Sequence, residues 1–170
     1  MNTTKKLVFS ALCIAIGVVL PQAFHMIPNA GSIFLPMHIP VLFCGLLCGA
    51  LYGGLCGGLT CLLSHLIFGM PPAPVFPGMI CELIVYGLVA GLMSQILKNK
   101  NIGIIYIELI VAMLCGRIVS GVLNALIFKA GAYSMQMWLA GAFVTALPGI
   151  AIQLVLIPIL VDRFQKYFNK

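Results

Sequence analysis

Apolar residues in this chain run in long unbroken blocks, and polar residues fall in short groups between them. Neither the two-residue alternation of a half-buried strand nor the narrow apolar stripe of a surface helix organises the pattern. Blocks of this kind match the ~20 apolar residues that a helix needs to cross a bilayer. Six can be placed, at about Leu7 to Ile27, Pro36 to Leu51, Gly54 to Phe68, Gly78 to Leu97, Ile102 to Phe128 and Met135 to Val161. The first block follows Lys5-Lys6 as a secretory signal would, but it exceeds the ~7 to 15 apolar residues of a signal core and ends in Phe24-His25-Met26-Ile27-Pro28, so it reads as a retained span. The breaks are chemically distinct. Pro28-Asn29-Ala30-Gly31-Ser32 and the proline-rich Gly69 to Pro77 predict ordered loops, because proline removes a donor and clashes with the preceding turn. Tyr52-Gly53-Gly54 predicts a very tight turn between the second and third spans.

Composition turns this pattern into a class. With 7% charged residues and a mean hydropathy of +1.18, the chain has too few solvated side chains to cover a water-facing surface. The prediction is an all-α integral membrane bundle of six helices forming one domain over residues 1–170. The positive charge orders it. Placing both termini in the cytoplasm puts Lys5, Lys6, Lys98, Lys100, Arg163, Lys166 and Lys170 inside and leaves Lys129 outside, as the positive-inside bias requires. The two Pro/Gly loops then face outward. The formal net charge of +6 follows from topology, and no basic patch with interleaved aromatics suggests a nucleic-acid partner.

Cys13, Cys44, Cys48, Cys56, Cys61, Cys81 and Cys115 all lie inside apolar blocks, odd in number and without a CxxC pair, which reads as packing rather than a disulfide or zinc framework. Small residues four apart (Gly45, Gly49 and Gly53; Gly54 and Gly58; Gly87 and Gly91; Ala112, Gly116 and Ser120) predict close helix crossings. Ala11 and Ala15 make a similar strip on the first span.

Ionisable residues inside spans are costly and so point to function. Glu82 and Arg117 are placed at neighbouring depths, either pairing to hold two helices together or contacting a ligand. Ser120 and Asn124 continue the face of Arg117 toward the outer end, and Tyr86 follows Glu82 by one turn. His25, His38 and His65 all fall at outer helix ends; they form no HxH or HxxxH pair, so ligand contact or gating is favoured over a metal. Gln153 is deep in the last span and needs a partner, and Trp138 reads as an interfacial anchor. No phosphate loop, GxSxG or HExxH is present, and no resident cofactor or metal is expected. The reading is of a binder without an engine. The alternatives left open are a stand-alone carrier or channel oligomer and a small intramembrane enzyme.

Three stretches extend this reading: Ala11-x-x-x-Ala15; Phe34-Leu35-Pro36-Met37-His38-Ile39-Pro40-Val41-Leu42; and Gly69-Met70-Pro71-Pro72 with Glu82-Leu83-x-x-Tyr86-Gly87. Over essentially its full length the chain resembles the substrate-binding S components of energy-coupling factor (ECF) vitamin transporters, in particular a clostridial-type subgroup. The resemblance implies a multi-pass subunit of the bacterial cell membrane that captures a small vitamin, docks on a transmembrane coupling protein through its first helix, and topples in the lipid, with two ATPases supplying energy. It assigns Ala11 and Ala15 to docking and the loops around Asn29 to Leu35 and Met70 to Pro77 to a lid. Together with the polar residues of the spans this gives an expected substrate-binding set of Arg117, Asn124, Glu82, Tyr86, His38, His65, Asn29 and Gln153. Pantothenate suits a lone arginine with amide partners; pyridoxine, riboflavin or a queuosine precursor suit a site in which Glu82 already neutralises Arg117.

Overall fold

The computed structural model describes residues 2–24, 30–97, 101–129 and 133–168. Asn29 and His25, together with Lys98, Lys100 and Lys170, lie outside the described residues. Helices joined by turns and short irregular stretches make up these residues: α1 (Thr3–Ala23), α2 (Ala30–Phe34), α3 (His38–Cys48), α4 (Ala50–Phe68), α5 (Phe76–Ile96), α6 (Ile102–Leu123) continued by a π-helical turn at Asn124–Phe128, α7 (Met135–Leu139) continued by a second π-helical turn at Ala140–Thr145, and α8 (Leu147–Phe168). Among the described residues six stretches are long and apolar enough to cross a membrane, with α2 and α3 together supplying the second as Gly31–Cys48. The bundle is the all-α membrane architecture expected.

Three boundaries differ from the sequence reading, each for a physical reason. The tight turn sits at Gly49, whose φ of 97° favours a residue without Cβ, so α4 already begins at Ala50. Gly53 and Gly54 lie inside the helix and serve packing instead. Part of the first predicted loop is the short helix α2, which ends at Phe34 and is followed by Leu35, left-handed at φ 50° ahead of Pro36. The last predicted span is two pieces: α7 and its π turn lie beside the bundle, and the crossing helix α8 starts at Leu147 with Pro148 in its first turn, where a missing N–H costs nothing. That helix runs past the predicted end at Val161 to Phe168.

Helix α3 is the axis of the bundle: 61% of the Gly31–Cys48 window is buried, against 28% of the α1 window. Around it, α4 and α5 approach until backbone meets backbone. A Cβ at Gly87 would overlap the Gly53 carbonyl, one at Gly53 would meet the Gly87 carbonyl, and one at Gly91 would meet Ala50 backbone. Gly57 makes the same kind of contact with Leu83, whereas Gly54 and Gly58 face only the side chains of Leu88 and Ile84. Lipid removes the hydrophobic drive between helices, so this proximity supplies the packing energy. Gly87→Ala is therefore expected to cost ~1 to 3 kcal/mol as an overpacked contact and to lower the melting temperature of the detergent-solubilised protein by several degrees. Gly103→Ala, where nothing lies within 4 Å, should leave it unchanged; equal melting of the two variants would refute the backbone contact.

The chain ends share one end of the bundle, where Phe9 of α1, Phe43 of α3 and Phe164 of α8 pack ring against ring at 5.3 to 5.9 Å. Cys13, Cys44, Cys48, Cys56 and Cys61 are buried there and toward the middle as free thiols, with Cys81 and Cys115 partly covered. Ser10 joins them, donating to Lys6 O at 2.7 Å and lying 3.4 Å from Cys44 Sγ.

Candidate functional site

The opposite end opens into a cavity of about 400 Å³, within the size range of small-molecule sites. Its apolar wall comes from Pro21 and Phe24 at the end of α1, the Leu35-Pro36-Met37 corner, Met70-Pro71-Pro72 in the loop before α5, and Met79. Its polar wall comes from His38, Glu82, Arg117, Ser120 and Asn124, with Lys129, Tyr133 and Trp138 also lining it. Described residues of both Pro/Gly stretches, Gly31 and Ser32 of the first and Met70, Pro71 and Pro72 of the second, thus border the cavity.

Each polar group is held by its helix. His38 opens α3 and is buried at 1% exposure, with Nε2 3.7 Å from Glu82 Oε1. Glu82 lies in the second turn of α5 and remains partly exposed at 16%. Arg117 is 5% exposed, and its Nε and one terminal nitrogen have no hydrogen-bond partner among the described residues. Glu82 and Arg117 do not form a direct ion pair among those residues; the carboxylate turns to His38 instead. Asn124 stands where α6 widens into its π turn, a device frequent at functional sites. Its amide lies on Gly78, where a side chain would displace it, and Nδ2 donates to Ser120 O at 2.8 Å, leaving Oδ1 as an acceptor. At the mouth, Lys129 Nζ sits 5.6 Å from the Tyr133 ring. Burial, with a smaller contribution from the Glu82 charge, pushes the Tyr133 phenol up, so it stays neutral at physiological pH.

Four of the predicted ligand residues therefore meet at one cavity: Arg117, Asn124, Glu82 and His38. Three others do not line it. Tyr86 is fully buried behind His38, edge-on at 5.1 Å, because side-chain-free Gly116 lets its ring slot between α5 and α6. His65 is turned away from the ligand space: its Nδ1 is 2.7 Å from Pro71 O and its ring stacks on Phe76 at 4.3 Å, which pins the loop that does line the cavity. Gln153 is fully buried in α8, where its amide has no hydrogen-bond partner among the described residues. Asn29 is outside the described residues. Among the described residues no trio of His, Cys, Asp or Glu converges as a metal centre would require.

Sequence reading missed two things. Glu108, fully buried in α6, passed unnoticed although a carboxylate in Ile107-Glu108-Leu109 is the same signal that singled out Glu82; it does not line the cavity. Trp138, taken for an interfacial anchor, lines the cavity and donates from Nε1 to Arg117 O at 3.1 Å. Nothing local could have shown that, since the contact joins residues 21 apart across a connection of irregular course. On α1, Ala11 and Ala15 lie on the exposed face beside Leu12 and Ile16, away from the cavity.

The six-span architecture and the cavity at one end of the bundle agree with a subunit that binds a small molecule in the membrane. No curated protein and no solved structure matches the chain. A family profile described as the substrate-specific component of ECF transporters matches residues 5–161, nearly the whole bundle. The chain accordingly belongs to the substrate-specific components of ECF transporters, integral proteins of the cell membrane that bind a substrate for uptake and are not enzymes.

Proposed function

We propose that this S component binds pantothenate, or a closely similar small carboxylate bearing amide and hydroxyl groups, and delivers it to an ECF coupling protein driven by two ATPases. The observation that carries the substrate reading is the charge of the cavity wall: Arg117 and Lys129 face one carboxylate, Glu82, which is engaged with His38 rather than with Arg117. The guanidinium is thus left to take an anion, and Arg offers a carboxylate a two-bond fork. Asn124, Ser120 and the His38–Glu82 pair supply donors and acceptors for amide and hydroxyl groups, and the Pro and Met wall suits the ligand's branched hydrocarbon. A ligand already carrying a positive charge would meet two cations in this wall.

The orientation proposed is cavity outward and both termini cytoplasmic. Lys5, Lys6 and Arg163 then stand at the cytoplasmic end, opposite the cavity. Lids built from Leu35-Pro36-Met37 and Met70-Pro71-Pro72 carry no charge, which favours a body that reorients in lipid, since a charge at the bilayer centre costs a few kcal/mol. The exposed face of α1 at Ala11 and Ala15 is the docking surface of this reading.

Native mass spectrometry of the detergent-solubilised protein, purified from cells supplied with labelled vitamins, is expected to show one bound pantothenate released on denaturation. A co-purified neutral or cationic vitamin in its place would refute the substrate reading while leaving the family assignment untouched.

A further inference from the structure

The segment between α6 and α8 grips Arg117 from two sides. Trp138 of α7 donates its indole N–H to the Arg117 backbone carbonyl at 3.1 Å. The indole reaches that carbonyl only because Gly121, one turn on, has no side chain: a Cβ there would overlap the indole ring. Phe143, in the π turn that follows α7, meets Trp138 edge-on at 5.5 Å, and its ring centroid lies 5.9 Å from Arg117 Cζ, within cation–π range. One aromatic therefore holds the backbone of Arg117 and the other lies beside its guanidinium. Gly141 and Ala142, between the two rings, line the cavity along with Trp138.

We infer that Trp138 and Phe143 form an aromatic clasp that positions Arg117 for the anionic group of the ligand, making Trp138 a positioning and selectivity-determining residue. The physical case rests on the guanidinium. Its Nε and one terminal nitrogen have no hydrogen-bond partner among the described residues, and the carboxylate of the cavity wall, Glu82, lies against His38. A planar fork gives a strong carboxylate contact only when aimed. The clasp supplies the aim through a backbone hydrogen bond and a ring face, neither of which neutralises the charge. The π turn at Ala140–Thr145 brings Phe143 to this position, five residues after Trp138.

The test rests on the pantothenate reading in one arm and is independent of it in the other. In the first arm, binding of pantothenate and of panthenol, its alcohol analogue, is measured by titration calorimetry. Trp138→Phe, which keeps an aromatic ring but removes the N–H, is expected to weaken pantothenate at least fivefold more than panthenol; Phe143→Leu, which leaves the indole in place, should act in the same direction. Equal weakening of both compounds would overturn the clasp as an aiming device and mark it as packing. Wild-type protein that binds neither compound refutes the substrate reading, and the second arm then decides the clasp alone.

That arm uses the fact that the chain has one tryptophan, so its fluorescence reports Trp138 directly. Iodide, drawn to the guanidinium, is expected to quench it well, and Arg117→Gln to lower the iodide quenching constant at least twofold while acrylamide quenching is unchanged. An iodide constant unaffected by Arg117→Gln, or a parallel change with acrylamide, would overturn the placement of Trp138 on the cationic wall.

Discussion

An Ala11→Trp plus Ala15→Trp double variant is expected to bind its vitamin as the wild type does and to support no measurable uptake. The two alanines are four apart and share one helix face, which is exposed along with Leu7, Val8, Leu12, Ile16 and Val19. The other face of α1 is committed to the bundle through Ser10, Cys13, Gly17 and Val18. Gly17 lies so close to Thr60 of α4 that a methyl there would displace it. Small residues on an exposed membrane face allow another helix to approach closely, and bulky ones hold it off. Two indoles would therefore block docking while projecting away from the rest of the protein. Binding should survive because Pro21, the first α1 residue at the cavity, is ten positions beyond Ala11, about 15 Å along the helix at ~1.5 Å per residue. Calorimetry on the purified variant and uptake of labelled vitamin by whole cells separate the two effects. Normal uptake would refute docking through this face, and lost binding would show that α1 shapes the cavity.

Much of this architecture was legible because lipid imposes a simple rule. Apolar blocks long enough to span must become helices, since their backbone groups have no water to bond with, and so the spans could be counted from sequence. What escaped was set by contacts between distant residues. The turn at Gly49 was misplaced because three glycines within one short stretch are equivalent in sequence and are told apart only by α5 packing against Gly53. Arg117, Asn124, Glu82 and His38 were findable because a polar group in an apolar block is conspicuous. Their arrangement was not: pairing with Arg117 was one of two readings open for Glu82, and its carboxylate lies 3.7 Å from His38. Tyr86 and His65 share the same end of the bundle as the cavity, yet Gly116 and Pro71 draw them elsewhere. Trp138 carries two signals at once, an interfacial aromatic and an indole donor, and sequence alone favoured the commoner one.

Arg117→Ala is expected to weaken an anionic ligand by about 10- to 100-fold. A hydrogen bond to a charged group contributes ~1.5 to 3 kcal/mol, and each 1.4 kcal/mol is about tenfold in affinity. The site gives reason to expect the full effect. Arg117 is 5% exposed, so water cannot stand in for the lost fork, and Lys129, at the mouth of the cavity, lies in more solvated surroundings where its charge counts for less. Arg117→Lys keeps the charge but not the planar pair of donors, so it should fall between alanine and wild type. Glu82→Gln provides the opposite control. Removing the one carboxylate of the wall should leave an anion bound as well as before or better, whereas a cationic ligand would be lost. Calorimetric titration of the three variants with pantothenate distinguishes these cases. Unchanged affinity in a folded Arg117→Ala protein would make the arginine structural, and a loss on Glu82→Gln as large as that on Arg117→Ala would mean that the carboxylate, not the guanidinium, carries recognition.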